Sequence, residues 1–278
     1  MPRTTLRIIA AVGAAALALG VAGCAPGAGT AGTDAGFVTE GKLTIGTGLP
    51  AYYPWVIDDA PETGEGFEAA VGYAVAEDLG FAKEDVVWVR STFDQAVAPG
   101  AKDFDFNLQQ FSITEERRAN VDFSSPYYET TQVVITTAAS KAADATSIAD
   151  LKGLLIGAQT GTTSFDAVEQ QIAPTAGAQV FNTNDDAKLA LESGTVDAIV
   201  VDLPTAFYLT GVELTDGIII GQLPPGEGSG DAFGLVLAKD SPLTARVTAS
   251  VDALRENGTL QKLADTWLAD AADAPLLK

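Results

Sequence analysis

A strand-like segment followed by a helix-like segment, repeated in two series along the chain, constrains the fold more than any other feature. In the first series, residues 41–48 (GKLTIGTG) have the β-branched alternation of a strand. Residues 66–80 (GFEAAVGYAVAEDLG) carry apolar residues at helical spacing before a glycine stop. Further extended segments follow in DVVWVR, DFDFNL, VDF and TQVVITTA. This alternation predicts a layered α/β fold.

The second series begins at residue 151 and repeats the pattern. Residues 154–172 (LLIGAQTGTTSFDAVEQQI) run from an apolar strand through a small-residue turn into a helix. The segment NDDAKLALESG predicts a helix capped by Asn184 or Asp185, VDAIVVD predicts a buried strand, and two amphipathic helices broken at residues 257–258 follow. Two α/β units in one chain leave a cleft between them, so the polar loops after the strands are where we expect a ligand.

The ionisable composition excludes several classes of function. The chain has 37 acidic and 16 basic residues, a formal net charge of −21 at pH 7, one cysteine and no histidine. A surface this acidic repels nucleic acid. The absence of histidine and of a second cysteine removes imidazole-based catalysis, most zinc sites and a structural disulfide. We therefore expect a function without imidazole or thiol chemistry and without a nucleic-acid partner, and we predict no catalytic residue, cofactor or metal site.

The N-terminal segment has the features of a lipoprotein signal. Residues 1–23 join a small basic region to an apolar run that ends in small residues, which is typical of a secretory signal peptide. The run ends in VAGC, which resembles the bacterial lipobox, and Cys24 is the single cysteine of the chain. Residues 24–40 are rich in Gly, Ala, Pro and Thr and predict a flexible tether, with folding from about Gly41. We expect an extracytoplasmic protein anchored to the cell membrane by a lipidated Cys24.

Two turns could bind an anion. In GTTSFDAV, a glycine turn leads through Thr163 into a helix start with free N–H groups, although a plain threonine cap explains the same pattern. In SITEERR, a strand leads to Ser112, and Arg117 lies about one helical turn further on, so a hydroxyl and a guanidinium could meet one carboxylate. A charged, solvent-exposed turn remains the alternative, above all for Arg118.

Other candidate residues follow strands. Asp202 ends an apolar strand, where it could reach solvent, cap the helix that starts near Pro204, or receive a cation. Tyr52 lies in an aromatic loop after the first strand, and Phe93 follows VVWVR, so both could form an apolar pocket wall. Arg90 would favour an acidic ligand if it faced the cleft, and a paired surface arginine is the alternative.

The motifs, in this order, resemble the bacterial extracellular solute-binding proteins of family 3, the amino-acid-binding components of ABC importers. The resemblance runs from about residue 41 to residue 268. It rests on GKLTIGTG…YYPW, GEGFEAAVGYAVAEDLG, SITEERRANVDFSSPYY, IADLKG, IGAQTGTTS, ALESGTVDAIVVDLPTA and NGTLQKLADTW.

The resemblance implies an α/β, two-lobed periplasmic-binding-protein fold of type II, with two crossover strands around a ligand cleft. Lobe 1 would comprise residues 41–131 and 230–278, and lobe 2 residues 132–229. It also implies a role for each site residue. Arg117 binds the ligand α-carboxylate, Ser112 contacts the carboxylate or the ammonium group, and Thr163 donates its N–H from the other lobe. Asp202 binds the ammonium group, and Tyr52 and Phe93 line the side-chain pocket.

The resemblance leaves the ligand side chain open. Gly48 and Leu49 stand where ligands with cationic side chains often meet an acid, which argues against such a ligand. Gln109 and Gln110 replace small residues, and Gln110 should narrow the pocket or add an amide contact. We expect a monomeric, non-enzymatic protein that delivers a polar amino acid to ABC permease subunits. A dehydratase-like enzyme and a ligand-sensing ectodomain are the alternatives.

Overall fold

The computed structural model describes residues 36–225, 231–268 and 274–278, which form two five-stranded sheets flanked by helices. The strands are β1 (Leu43–Gly48), β2 (Val86–Ser91), β3 (Phe106–Asn107), β4 (Val121–Thr130), β5 (Gln132–Thr137), β6 (Ile156–Gln159), β7 (Gln179–Phe181), β8 (Ala198–Asp202), β9 (Gly217–Gln222) and β10 (Asp231–Ala238). The helices are α1 (Phe67–Asp78), α2 (Phe93–Val97), α3 (Glu115–Arg118), α4 (Ile148–Leu151), α5 (Thr163–Ala167), α6 (Asn184–Glu192), α7 (Leu203–Tyr208), α8 (Thr244–Glu256) and α9 (Thr259–Trp267).

The two sheets share one plan. The first has the order β2-β1-β3-β10-β4, with β1 parallel to β2 and β3 and with β10 antiparallel to β3 and β4. The second has the order β7-β6-β8-β5-β9, with β6 parallel to β7 and β8 and with β5 antiparallel to β8 and β9. In each sheet the parallel strands bring their carboxyl ends, and the loops that follow, to one edge.

The chain passes between the sheets at two places that directly join strands. After β4 it enters β5 through Thr131, and after β9 it returns to β10 through residues 223–230. The Thr131 hydroxyl donates to Gln222 Oε1 at 2.6 Å, so a side-chain hydrogen bond joins the first passage to the start of the second. The two passages are therefore held next to each other.

Helix starts follow local capping rules. Thr114, Thr162 and Thr183 each accept a hydrogen bond from the backbone N–H three residues later, at the starts of α3, α5 and α6. The predicted cap of α6 at Asn184 or Asp185 is therefore wrong by one or two residues. The hydroxyl of Thr183 satisfies the N–H of Asp186 at 3.0 Å, which leaves Asn184 and Asp185 inside the first turn.

Strand β4 is longer than its sequence pattern indicates. VDF and TQVVITTA predict separate extended segments, yet β4 runs through Pro126. A proline removes a ladder donor, but β4 is an edge strand of the first sheet, where that loss is tolerated. The pairing with β10 shifts register on both sides of Gly234, and the Ser124 hydroxyl accepts from the Leu235 N–H at 2.9 Å beside the shift.

Both ends of the described chain depart from the predicted boundaries. Ordered packing begins before Gly41, because the Phe37 ring meets Phe81 edge-on at 5.1 Å and the Val38 N–H donates to Asp105. At the other end, residues 274–278 were predicted in lobe 1, but they lie on the second sheet. Leu276 forms a bridge with Gln222, and residue 277 is 3% exposed in the core of that sheet.

The predicted signal peptide and the lipobox cysteine at position 24 lie outside the described residues. Within the described part of the chain, no helix is both long and apolar enough to cross a membrane.

Candidate functional site

A small cavity of about 50 Å³ lies between the two sheets. All seven residues predicted from the sequence to bind a ligand line this cavity: Tyr52, Phe93, Gln110, Ser112, Arg117, Thr163 and Asp202. The other lining residues are Gln109, Gln132, Gln159, Thr162, Ser164, Asn184 and Phe233. The structure therefore brings together predicted residues that are as much as 150 positions apart in the sequence, from Tyr52 to Asp202.

Arg117 is buried in the cavity wall, with 9% of its surface exposed. Its guanidinium donates to the Ser112 carbonyl at 2.6 Å and to the Gly161 carbonyl at 2.9 Å, and its Cζ lies 5.0 Å from the centre of the Phe93 ring. Burial lowers the pKa of Arg117, and the charges of nearby carboxylates, led by Asp231, oppose that shift. The group stays cationic because an arginine pKa starts far above neutral.

A polar network joins the two sides of the cavity beside Arg117. The Ser112 hydroxyl lies 3.0 Å from the Thr163 hydroxyl, which also donates to Asp231 Oδ2 at 3.2 Å. Gln132 donates to Thr163 at 3.3 Å and to Asp231, and it accepts from Ser164 at 2.6 Å. Gln132 and Asp231 are the first residues of β5 and β10, so both passages between the sheets contribute to this network.

Asp202 takes the capping role, one of the three that the sequence left open. It caps α7, because Oδ1 accepts from the Thr205 N–H at 3.1 Å and Oδ2 accepts from the Thr205 hydroxyl at 2.9 Å. It also lines the cavity while only 9% exposed. Burial raises the pKa of Asp202 to about 6, against the two hydrogen bonds from Thr205 that lower it. A buried carboxylate of this kind favours a cationic partner.

The aromatic residues enclose the site. Trp55 Nε1 donates to the Thr205 hydroxyl at 3.1 Å, so an aromatic beside the first sheet contacts the residue that Asp202 caps. The Tyr53 and Tyr208 rings lie 4.4 Å apart, the first in the loop after β1 and the second on α7. Burial, with the nearby charge of Asp185, raises the pKa of Tyr52, which therefore stays neutral and can act as a hydrogen-bond donor.

The other two arginines in question lie outside the cavity. The Arg118 side chain is 46% exposed and lies 3.5 Å from Glu115, as expected for a solvated helix face. Arg90 donates to the Gly48 carbonyl at 2.9 Å and pairs with Asp59, so the structure gives the paired arginine rather than one that faces the cleft.

Sequence reasoning missed several members of the site. Gln132, Gln159 and Asn184 carry no motif of their own, but each sits at the end or start of a strand or helix on the ligand-facing edge. Asp231 follows a glycine-rich stretch, and only the antiparallel pairing of β10 brings it to Thr163. The position of each residue near the end of a strand is the feature of the sequence that could have predicted its place in the site.

Two sheets joined by two passages around a buried polar cavity define a two-lobed binding protein. The model of the family described as "Bacterial extracellular solute-binding proteins, family 3" matches residues 43–270. The chain belongs to this family, and its fold is the α/β, two-lobed type II periplasmic-binding-protein fold.

The chain is similar to characterised members over most of its length. It is 29% identical to an L-arginine-binding protein of Pseudomonas aeruginosa, over 83% of this chain and 89% of the relative. An ancestral arginine-binding protein bound to glutamine matches with a TM-score of 0.68 and 29% identity, over 82% of this chain and 98% of that one. An ancestral amino-acid-binding protein described as a precursor of cyclohexadienyl dehydratase matches with a TM-score of 0.66 and 28% identity, over 82% and 95%.

Proposed function

We propose that this protein is the extracytoplasmic substrate-binding component of an ABC importer and that it captures a polar amino acid between its two lobes. The first lobe comprises residues 41–131 and 231–268, and the second comprises residues 132–222. The observation that carries the proposal is the pair of opposite buried charges, Arg117 and Asp202, on the wall of one cavity. An amino-acid zwitterion needs one cationic and one anionic partner. Here Arg117 supplies the first and Asp202 the second.

The groups around Arg117 suit a carboxylate. The guanidinium already makes hydrogen bonds with two carbonyl oxygens, at Ser112 and Gly161, and the hydroxyls of Ser112 and Thr163 lie beside it. A ligand carboxylate at this point would contact groups from both sides of the cleft at once. Binding would then favour the closed arrangement of the two lobes, since only that arrangement offers all contacts together.

The remaining lining supports a neutral polar ligand side chain. Among the described residues that line the cavity, the charged ones are Arg117 and Asp202, and the α-carboxylate and α-ammonium groups would neutralise both. The amides of Gln109, Gln110 and Gln159 can donate and accept hydrogen bonds. The likeness to a protein bound to glutamine agrees with such a ligand, and the likeness to arginine-binding proteins agrees with the wider class of polar amino acids.

The test is calorimetric titration of the chain from residue 24 with each of the twenty amino acids. We expect one or a few neutral polar amino acids to bind, and loss of one charge-assisted contact in Arg117→Ala should weaken Kd by about 10- to 100-fold. Asp202→Asn keeps a helix cap but removes the charge, and it should weaken binding similarly. Arg118→Ala is the matched control and should bind as the parent does. Unchanged binding in both site variants would refute the assignment.

A binding protein should return its ligand unchanged. Incubating the bound amino acid with the protein and analysing the mixture by mass spectrometry should recover only the amino acid. A product, such as the dehydration that the likeness to a dehydratase precursor suggests, would favour an enzyme instead.

The location and the partner are part of the same proposal. A lipidated Cys24 would hold the protein at the outer face of the cell membrane beside permease subunits, with the acidic surface in solvent. Expressed in a bacterial host, the parent should sediment with membranes and Cys24→Ala should be released into the soluble extracytoplasmic fraction. Membrane retention of Cys24→Ala would contradict the anchor.

A further inference from the structure

Glu68, near the start of α1, is a buried carboxyl group behind the ligand cavity. It is 1% exposed and is not among the described residues that line the cavity. Its Oε1 accepts a hydrogen bond from the Gln110 N–H at 2.8 Å, its Oε2 accepts from the Gln110 side-chain amide, and the Tyr127 hydroxyl also donates to Oε1. Two of its three contacts therefore go to one residue, and that residue does line the cavity.

Gln110 has a backbone conformation that needs such support. Its φ is +50°, in the left-handed region that costs a residue with a Cβ roughly 1–2 kcal/mol. The residue lies between β3 and Ser112, so its backbone determines how the Ser112–Arg117 segment leaves the sheet. Glu68 accepts hydrogen bonds from both the backbone N–H and the side-chain amide of Gln110, so the backbone conformation and the side-chain direction of Gln110 are fixed together.

We propose that Glu68 is a positioning residue for ligand selectivity, which acts by holding the Gln110 amide in one orientation on the cavity wall. This inference rests on the proposed amino-acid-binding function. An amide that is free to rotate presents a donor or an acceptor at the same point and discriminates poorly between ligand side chains. An amide that donates one side-chain N–H to Glu68 is held in one rotation, so its carbonyl oxygen and its second N–H keep fixed positions and can discriminate between ligand side chains that bring a donor and those that bring an acceptor.

A role in stability alone explains the arrangement less well. A carboxyl group buried in a core costs free energy, and an apolar residue of similar volume would pack there more favourably. The chain offers a contrast in Asp105, which is 3% exposed beside the first sheet and accepts from the Thr44 N–H at 2.6 Å and the Val38 N–H at 2.7 Å. The residues that Asp105 binds, Thr44 and Val38, do not line the cavity, whereas Glu68 binds Gln110, which does.

The orientation of the Gln110 amide should depend on pH, because it depends on the charge of Glu68. The titratable groups that act on it are Tyr127 on β4, which donates to it, and Asp202 on β8, whose negative charge opposes its ionisation. Burial raises the pKa of Glu68 to about 7, against hydrogen bonds from Tyr127 and Gln110 that lower it. The ionised carboxylate can accept all three hydrogen bonds, and protonation takes one acceptor position away. Selectivity should therefore weaken as pH falls through about 7.

The test compares Glu68→Gln with Asp105→Asn, two isosteric removals of a buried carboxylate in the same half of the molecule. For each, calorimetry at pH 8 gives Kd for the preferred amino acid and for the next best one. Glu68→Gln places an amide donor against the Gln110 amide, and loss of about one hydrogen bond should narrow the ratio of the two Kd values by about 10-fold. Asp105→Asn should lower Tm and leave the ratio unchanged.

A third variant shows whether Glu68 acts through Gln110. Gln110→Gly accepts the positive φ without strain and removes the amide, so Glu68→Gln should change the ratio little in that background. The parent should also lose selectivity between pH 8 and pH 6, and Gln110→Gly should not. This comparison holds even if Glu68→Gln fails to fold.

An unchanged ratio in Glu68→Gln would overturn the inference, as would an equal change in the Gln110→Gly background or the same pH dependence in the parent and Gln110→Gly. Each of these results leaves the proposed function intact if Arg117→Ala still weakens binding of the preferred amino acid. Absence of binding by any of the twenty amino acids would overturn both.

Discussion

At the scale of single residues, neighbours in the sequence take opposite roles. Arg117 and Arg118 are adjacent, yet one is buried against Phe93 and the other is half exposed beside Glu115. The helical spacing from Ser112 sufficed to separate them in the sequence. It did not suffice for Glu68 and Gln110, because neither a buried carboxyl nor a left-handed glutamine has a sequence signal. Their contact depends on tertiary packing of α1 against the loop after β3.

Asp202 gives a prediction for ligand binding against pH. The ammonium group of the ligand needs the ionised carboxylate, and burial raises the pKa of Asp202 to about 6. Below that pH we expect Kd to rise about tenfold per pH unit, because the protein must first lose a proton. Calorimetry between pH 4.5 and pH 8 measures this. In Asp202→Asn the slope below pH 6 should disappear, and a persisting slope would assign it to another group.

At the scale of elements, glycines that end helices allowed the sequence to predict helix boundaries well. Gly80 follows α1 with a φ of +90°, and Gly258 lies between α8 and α9 with a φ of +79°, so both glycines stand where the sequence placed a stop. Strand β4 was harder to predict because two serines and a proline interrupt its apolar pattern, and only pairing with β10 keeps the segment extended. Local preference was overruled there by long-range hydrogen bonds.

The α6 cap gives a prediction for stability. Thr183→Ala removes the hydroxyl that accepts from Asp186 N, and it should lower the free energy of unfolding by about 1 kcal/mol. Thr183→Ser keeps the hydroxyl and should lose much less. Chemical denaturation of the two variants measures the difference. Equal losses would mean that the methyl group, and not the cap, stabilises this helix start.

At the scale of the whole molecule, the sequence predicted the two-lobed plan because many motifs occur in order along the chain, each with its own place in the fold. The C-terminal end could not be placed in this way. Residues 274–278 have no helical or strand periodicity, and they join the second sheet by backbone bonds to Gln222 and by burial of one leucine.

The free energy of unfolding should depend on pH through the buried carboxyl group of Glu68. Its pKa is near 4.5 when unfolded and about 7 when folded, so the folded state binds the extra proton between these values. Stability therefore falls as pH rises from about 4.5 to 7, by about 3 kcal/mol from this group. Chemical denaturation at a series of pH values gives the free energy of unfolding of the parent and of Glu68→Gln. Plotted against pH, the two free energies should have different slopes within this window and the same slope above it. Parallel curves throughout would contradict the raised pKa.

The placement of residues 274–278 has a mechanical consequence. Leu268 is buried in the core of the first sheet and Leu277 in the core of the second, so the chain links the two lobes a third time. The nine residue steps between these two leucines can span at most roughly 30 Å. This link limits how far the two lobes can separate, because wider opening requires residues 274–278 to detach from β9. Ending the chain after Leu268 should then lengthen the maximum dimension seen by small-angle scattering of the ligand-free protein.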